Sequence, residues 1–109
     1  MRIEFLAAFA VAAVLLACKS AADATPAELG KRAYVANCIA CHNPDPAKDG
    51  TIGPALAGSS LALVEARIMR AEYPPGYTPK RDSHLMPAQP FLKNDVPALA
   101  AYLESLAPK

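Results

Sequence analysis

The sequence predicts a small all-α domain built from three to four short helices and loops. Helix-capping signals precede its apolar segments, and the apolar residues within those segments recur at helical spacing. No segment shows the sustained alternation of apolar and polar residues that is typical of a strand. Eleven prolines, concentrated at 44–46, 74–79 and 87–90, interrupt the helices and mark the connecting loops.

The first two helices are predicted from their N-caps. Thr25-Pro26-Ala27-Glu28 is a capping box with proline at the first helical position, so a helix begins at Pro26 and runs to about Cys38. Either Ser59 or Ser60 serves as the N-cap of a second helix, from Leu61 to about Ala71. Its buried stripe is predicted to be Leu61, Val64 and Ile68.

The last helix follows an irregular loop that extends to about Phe91. We expect Asn94 to cap it, since Asp95 favours a helix N-terminus and Pro97 is tolerated in a first turn. Helical spacing predicts one buried stripe along it, formed by Val96, Leu99, Ala100, Leu103 and Leu106.

The chemistry of the chain is indicated by the run Cys38-Ile39-Ala40-Cys41-His42. A CxxCH run is the signature of covalent c-type haem attachment, and one haem c is predicted here. Cys38 and Cys41, on one helical turn, would form thioethers with the two vinyl groups, and His42 would ligate the iron. A zinc site would need a second pair of ligands, and only Cys18 and His84 are left to supply one.

Residues 1–24 are predicted to be an export signal, followed by one domain over residues 25–109. Phe5 to Ala17 is an apolar run that is short for a membrane span. Ala22-Asp23-Ala24 suits an ordinary signal peptidase, whereas Leu15-Leu16-Ala17-Cys18 resembles a bacterial lipobox. Under the second interpretation, which we favour, a lipid on Cys18 tethers the protein to a membrane. Both place the protein in the bacterial periplasm, soluble or lipid-anchored.

Composition and charge restrict the partners. The net charge is +1, from 11 basic and 10 acidic residues, and no basic field suggests binding to nucleic acid.

A domain this small buries little surface on its own. A covalent haem would supply the apolar centre of its core, and the absence of tryptophan fits a core that a cofactor completes.

Together these motifs make the chain similar to the class I cytochrome c family, from about Ala27 to Leu106. Gly30-x3-Tyr34-x3-Cys38 matches the family's first helix, and Leu99-Ala100-Ala101-Tyr102-Leu103 matches its last. The resemblance implies the cytochrome c fold wrapped around one covalent haem, with the terminal helices crossing at Gly30. Gly53-Pro54-Ala55-Leu56 resembles a family loop in which the Pro54 carbonyl accepts a hydrogen bond from His42 and Leu56 contacts the ring.

The resemblance also implies the second iron ligand. Met86-Pro87 matches the family's distal Met-Pro pair, which makes Met86 the expected ligand. Methionine sulfur favours ferrous iron. Met69, inside the second helix, and His84, two positions from Met86, are the competitors. One or two residues of the preceding loop are expected to meet the haem propionates, the candidates being Tyr73, Tyr77, Lys80 and Arg81.

These features predict an electron carrier rather than an enzyme. A haem with both axial positions filled exchanges electrons and binds no substrate, so the expected partners are a redox protein donor and acceptor. The protein would act as a monomer or as a subunit of a complex. The alternatives are the haem subunit of a larger periplasmic dehydrogenase or sulfur-oxidising complex, and a catalytic or gas-sensing haem protein with an open iron site.

Overall fold

The computed structural model of the protein describes residues 22–109. Within them lie three α-helices, α1 (Pro26–Asn37), α2 (Leu61–Arg70) and α3 (Val96–Ser105), and one 3-10 helix (Pro90–Asp95). The described residues form no strand, which confirms the predicted all-α fold. The proposed leader, including Cys18, lies outside the described residues apart from its last three positions.

The caps of α1 and α2 form as predicted. Thr25 Oγ1 accepts a hydrogen bond from the amide of Glu28 at 3.2 Å, and Glu28 Oε2 accepts one from the amide of Thr25 at 3.0 Å. Ser60, rather than Ser59, caps α2, because its Oγ accepts from the Leu63 amide at 3.2 Å. These side chains satisfy amides that the first turn of each helix leaves without partners.

The predicted start of α3 is wrong. Asn94 lies inside the 3-10 helix, and Asp95 is the N-cap, without a hydrogen bond from its side chain. Leu92, only 3% exposed, anchors the 3-10 helix to the core. The chain is therefore already helical at Asn94, whereas a capping residue needs an extended backbone. Pro97 lies in the first turn of α3, as expected.

The core lies where α1 crosses α3. Tyr34 and Leu99 are each 1% exposed, and the ring of Tyr34 meets that of Tyr102 edge to face, with centroids 5.8 Å apart. A Cβ atom at Gly30 would overlap the backbone carbonyl of Ala98. Only glycine therefore allows the two helices to approach this closely.

Two residues of the predicted stripes are not buried. Leu61 is 46% exposed and Leu106 is 38% exposed, whereas the other members of both stripes belong to the core. Leu61 is the first residue of α2 and Leu106 is the C-cap of α3. Both positions are helix ends, where the side chain is covered on fewer sides than in the middle of a helix. Among residues 22–109, no helix combines the length and the apolar character that crossing a membrane requires.

Candidate functional site

The C-terminus of α1 presents the two thiols. Cys38 is the C-cap of the helix, and its carbonyl accepts from the amides of Cys41 and His42, at 3.3 and 2.9 Å. The CxxCH run is thus folded into a turn that continues from the helix. Both thiols are free, and both line the same cavity as His42. Burial raises the pKa of the Cys38 thiol to about 11, with a smaller contribution from Cys41.

The imidazole of His42 is oriented by the loop that follows it. Its Nδ1 lies 2.9 Å from the carbonyl oxygen of Pro54, and a carbonyl can only accept, so Nδ1 donates. In the neutral ring this leaves a lone pair on Nε2, the nitrogen that a metal would bind. His42 is only 8% exposed.

Gly53 supplies the space for this ring. A Cβ atom at Gly53 would lie 2.5 Å from Nδ1 and 2.9 Å from Nε2 of His42, well inside contact distance. The loop is held there by its own backbone, since the Cys41 carbonyl accepts from the amides of Ile52 and Gly53, at 3.2 and 2.8 Å. Any larger residue at position 53 would displace the imidazole.

The thiols and the imidazole face a cavity of about 240 Å³. Leu56 and Met86 also line it, and both pack against the core. The two competing ligands do not. Met69 packs on the core beside a separate groove, and His84 is exposed and does not line the cavity. Of the three candidate distal ligands, only Met86 shares the cavity with the imidazole.

The proline-rich loop before Met86 contains an aromatic stack. The rings of Tyr73 and Tyr77 stack with centroids 5.5 Å apart, and the guanidinium of Arg67 lies 4.2 Å from the centroid of Tyr73. These three residues line the cavity, as do Lys80 and Arg81. All four candidates for contact with the propionates therefore stand at its wall.

Two sets of contacts have no counterpart in the sequence patterns. The hydroxyl of Tyr34 donates to the carbonyl of Asn43, which ties α1 to the residue after His42. Lys80 and Arg81 donate to backbone carbonyls of the loop that contains Pro54. No local motif marks such contacts, because their acceptors are main-chain atoms and, for the two cations, lie far away in the sequence.

The residues present fit a c-type haem. Two free thiols, an imidazole with one nitrogen fixed and the other available, and a thioether line one largely apolar cavity. Thiols form the covalent links, imidazole and thioether are established axial ligands of haem iron, and leucine and valine side chains suit the porphyrin faces. The missing Cβ at Gly53 is the space that a correctly placed proximal imidazole needs.

Comparison with known proteins agrees with this geometry. No curated protein sequence matches the chain. Residues 27–107, well over half of it, match the family model described as Cytochrome c, and the match includes α1, the CxxCH turn, the Pro54 loop and α3. Haem c in this family is held covalently through cysteines, here Cys38 and Cys41, and its function is electron transfer between redox partners. The chain belongs to the cytochrome c family.

Proposed function

We propose that this cytochrome carries single electrons between two redox proteins at an iron ligated by His42 and Met86. The observation that carries the proposal is the hydrogen bond from His42 Nδ1 to the Pro54 carbonyl, at 2.9 Å, beside a cavity that Met86 also lines. A fixed imidazole and a thioether on one cavity are the ligand pair expected of a carrier. When bound, the haem iron supplies the change between the ferric and ferrous states.

The chain's own residues adjust that chemistry. The Pro54 carbonyl fixes the tautomer of His42 and makes its Nε2 a stronger ligand. Met86 supplies a soft sulfur, which favours the ferrous state and raises the reduction potential relative to a second histidine. Val64 and Leu99, both buried, line the cavity and keep water away from the reacting centre.

The rim of the cavity provides a place for redox partners. Ile52 and Leu85 line the cavity, yet they are 45% and 71% exposed. Such exposed apolar side chains favour a docking contact that excludes water at the edge through which electrons pass. Lys80 and Arg81 line the same cavity, so the contact would combine apolar side chains with positive charge.

An optical redox titration of the purified holoprotein tests the carrier. We expect a one-electron transition and a ferric sulfur-to-iron charge-transfer band. Met86→His should abolish the band and lower the potential, by roughly a tenth of a volt or more within the ~0.8 V that axial ligands span. Met69→Leu is the matched control and should change neither. A wild-type ferric spectrum without the band, or rapid binding of carbon monoxide by the reduced wild type, would contradict the proposal.

We further propose export to the bacterial periplasm, with a lipid on Cys18. The support is in the sequence, where a charged start, an apolar run and Leu15-Leu16-Ala17-Cys18 follow one another. Mass spectrometry of the mature N-terminus tests this directly. A diacylated or triacylated Cys18 is expected, and an unmodified Thr25 start would rule out the anchor while leaving export intact.

A second candidate is a haem subunit of a larger periplasmic oxidoreductase. It is favoured by the ordered Tyr73–Tyr77 stack beside the cavity and by Phe91, which is 74% exposed. A permanent partner would cover both the Tyr73–Tyr77 stack and the solvent-exposed ring of Phe91. Purification from the native host distinguishes the two. A stable complex supports the subunit, and a lone monomer reduced by several donors supports the carrier.

A further inference from the structure

In the loop beneath His42, four carbonyls accept no hydrogen bond from the imidazole or from the main chain of the described residues. In the segment 50–55, the Gly53 carbonyl accepts from the Gly50 amide, at 2.9 Å, and the Pro54 carbonyl accepts from the imidazole. No main-chain donor in residues 22–109 reaches the carbonyls of Gly50, Thr51, Ile52 and Ala55. These four flank the Gly53-Pro54 pair on both sides.

Two neighbouring cations, Lys80 and Arg81, donate to three of these four carbonyls, those of Gly50, Ile52 and Ala55. Arg81 donates from Nη1 to the Ile52 carbonyl at 2.8 Å and from Nη2 to the Gly50 carbonyl at 3.2 Å. Lys80 Nζ donates to the Ala55 carbonyl at 2.7 Å. Hydrogen bonds from charged donors are stronger than neutral ones, and Arg81 engages two acceptors at once. We call this pair, Lys80 and Arg81, the clasp.

The clasp matters because the segment that carries Met86 packs on the core but has no backbone hydrogen bonds within residues 22–109 to fix its course. Between positions 78 and 88, within the described chain, no amide donates a hydrogen bond to another backbone group. The next fixed point is the Gln89 amide, which donates to the Ile68 carbonyl at 2.6 Å. Met86 therefore lies on a stretch of chain tied down at the clasp on one side and at Gln89 on the other.

We propose that Lys80 and Arg81 are positioning residues that keep Met86 on the iron. By bonding the carbonyls around Pro54, they fasten the distal segment to the loop that orients His42, so the two axial ligands are held by one connected set of hydrogen bonds. This inference rests on the proposed ligation by Met86. Loss of the clasp leaves the ligand attached at only one nearby point and makes its displacement easier.

Imidazole binding to the ferric holoprotein tests the clasp, because imidazole must displace Met86. Arg81→Gln and Lys80→Gln should each bind imidazole about tenfold more tightly than the wild type. Lys93→Gln removes an equal charge from an exposed residue whose side chain makes no hydrogen bond or ion pair within residues 22–109, so this matched control should bind imidazole as the wild type does. Lys80→Arg keeps a charged donor, so its affinity for imidazole should stay close to that of the wild type.

Amide hydrogen exchange separates the clasp from a role in binding propionates. Arg81→Gln should speed exchange at the Ile52 and Gly53 amides, whereas a residue that served only the haem carboxylates would leave them unchanged. If that variant fails to retain haem, Arg81→Lys provides the same comparison of exchange rates. It keeps the charge and loses the two-pronged guanidinium that donates to two carbonyls at once. Imidazole affinities equal to that of Lys93→Gln would overturn the clasp. A wild type without the charge-transfer band would instead overturn ligation by Met86.

Discussion

The two sides of the cavity are held in different ways. On the His42 side, residues 43–58 form a dense set of local hydrogen bonds, in which Asn43, Asp45 and Asp49 side chains accept from nearby amides. On the Met86 side, within the described chain, no amide of residues 78–88 donates to a backbone carbonyl, and the segment depends on side-chain contacts with distant elements. Of the two proposed iron ligands, His42 is positioned by the loop that follows it, and Met86 is positioned by contacts with other parts of the chain.

This difference has a functional meaning. A ligand held by its own loop keeps one geometry in both oxidation states, as rapid electron transfer requires. A ligand on a segment without its own hydrogen bonds is the one that exchanges when conditions change, because local opening there breaks few interactions. We therefore expect substitutions beneath His42 to affect the whole domain, and substitutions near Met86 to act more locally.

The largest difference is expected between two glycines. Gly53→Ala places a methyl group against the His42 ring and should lower the free energy of unfolding by about 3 kcal/mol, with loss of haem-loaded protein. Gly76→Ala meets no atom within 4 Å and bears only the strain of a positive φ of 78°, which should cost about 1 kcal/mol. Urea unfolding of the two holoproteins measures both. Equal costs would contradict the proposed asymmetry.

A smaller effect is expected from Tyr34→Phe, with a signature in its pH dependence. Loss of the hydrogen bond to the Asn43 carbonyl should cost about 1 kcal/mol at neutral pH. Burial raises the pKa of Tyr34 from 10.0 to about 12, so its contribution to stability is complete below pH 10. That contribution is lost as the pH rises towards 12. Urea unfolding across this range should show a shallower decline for the variant, and an unchanged decline would exclude Tyr34 as its source.

Removing Asp49, an acceptor on the His42 side that also lies 3.9 Å from Arg81 Nη2, should have a comparable effect. Asp49 Oδ1 accepts from the Ala55 amide at 2.8 Å, next to Pro54. Asp49→Ala should lower the free energy of unfolding by about 1 kcal/mol. Asp82→Ala removes the same charge from an exposed position on the Met86 side and should cost less. A larger loss for Asp82→Ala in the same denaturation series would reverse the comparison.

The smallest effect is expected in the aromatic stack. Arg67→Gln removes the cation above Tyr73 and also the hydrogen bond from Arg67 Nη1 to the Ala71 carbonyl, at 2.7 Å. The part of the cost that falls on the aromatic stack should be about 0.5 kcal/mol, with altered near-ultraviolet dichroism from the tyrosines. Arg70→Gln is the control on the same helix, because Arg70 only pairs with Glu72 where both side chains are more than half exposed. Identical dichroism in the two variants would show that Arg67 does not order the loop.

The parts of the fold that the sequence predicts best are those with local causes. Helix caps act within one helical turn, so a few consecutive residues are enough to predict them. Examples are the capping box of Thr25 and Glu28 and the cap at Ser60. The close approach at Gly30 followed from a glycine that helix propensity alone disfavours. The start of α3 was missed because burial of Leu92, a tertiary effect, shaped the segment before it.

In the candidate site, too, features with local causes could be predicted from the sequence and long-range contacts could not. The CxxCH run and the Gly53-Pro54 loop are short motifs, and the structure brings their residues together around one ring. The clasp was not foreseen, because Arg81 and its acceptors Gly50 and Ile52 are about 30 residues apart and the acceptors are main-chain oxygens. Contacts of this kind cannot be predicted from composition or from the spacing of residue types.

Amide hydrogen exchange of the reduced holoprotein tests the difference between the two sides most directly. Amides that donate within the His42 loop, such as those of Ile52, Gly53 and Leu56, should exchange at least about tenfold more slowly than those of Leu85 and Met86. That result would establish that the first ligand is held by its own loop and the second from outside. Equal protection of both segments, or stronger protection around Met86, would contradict this description.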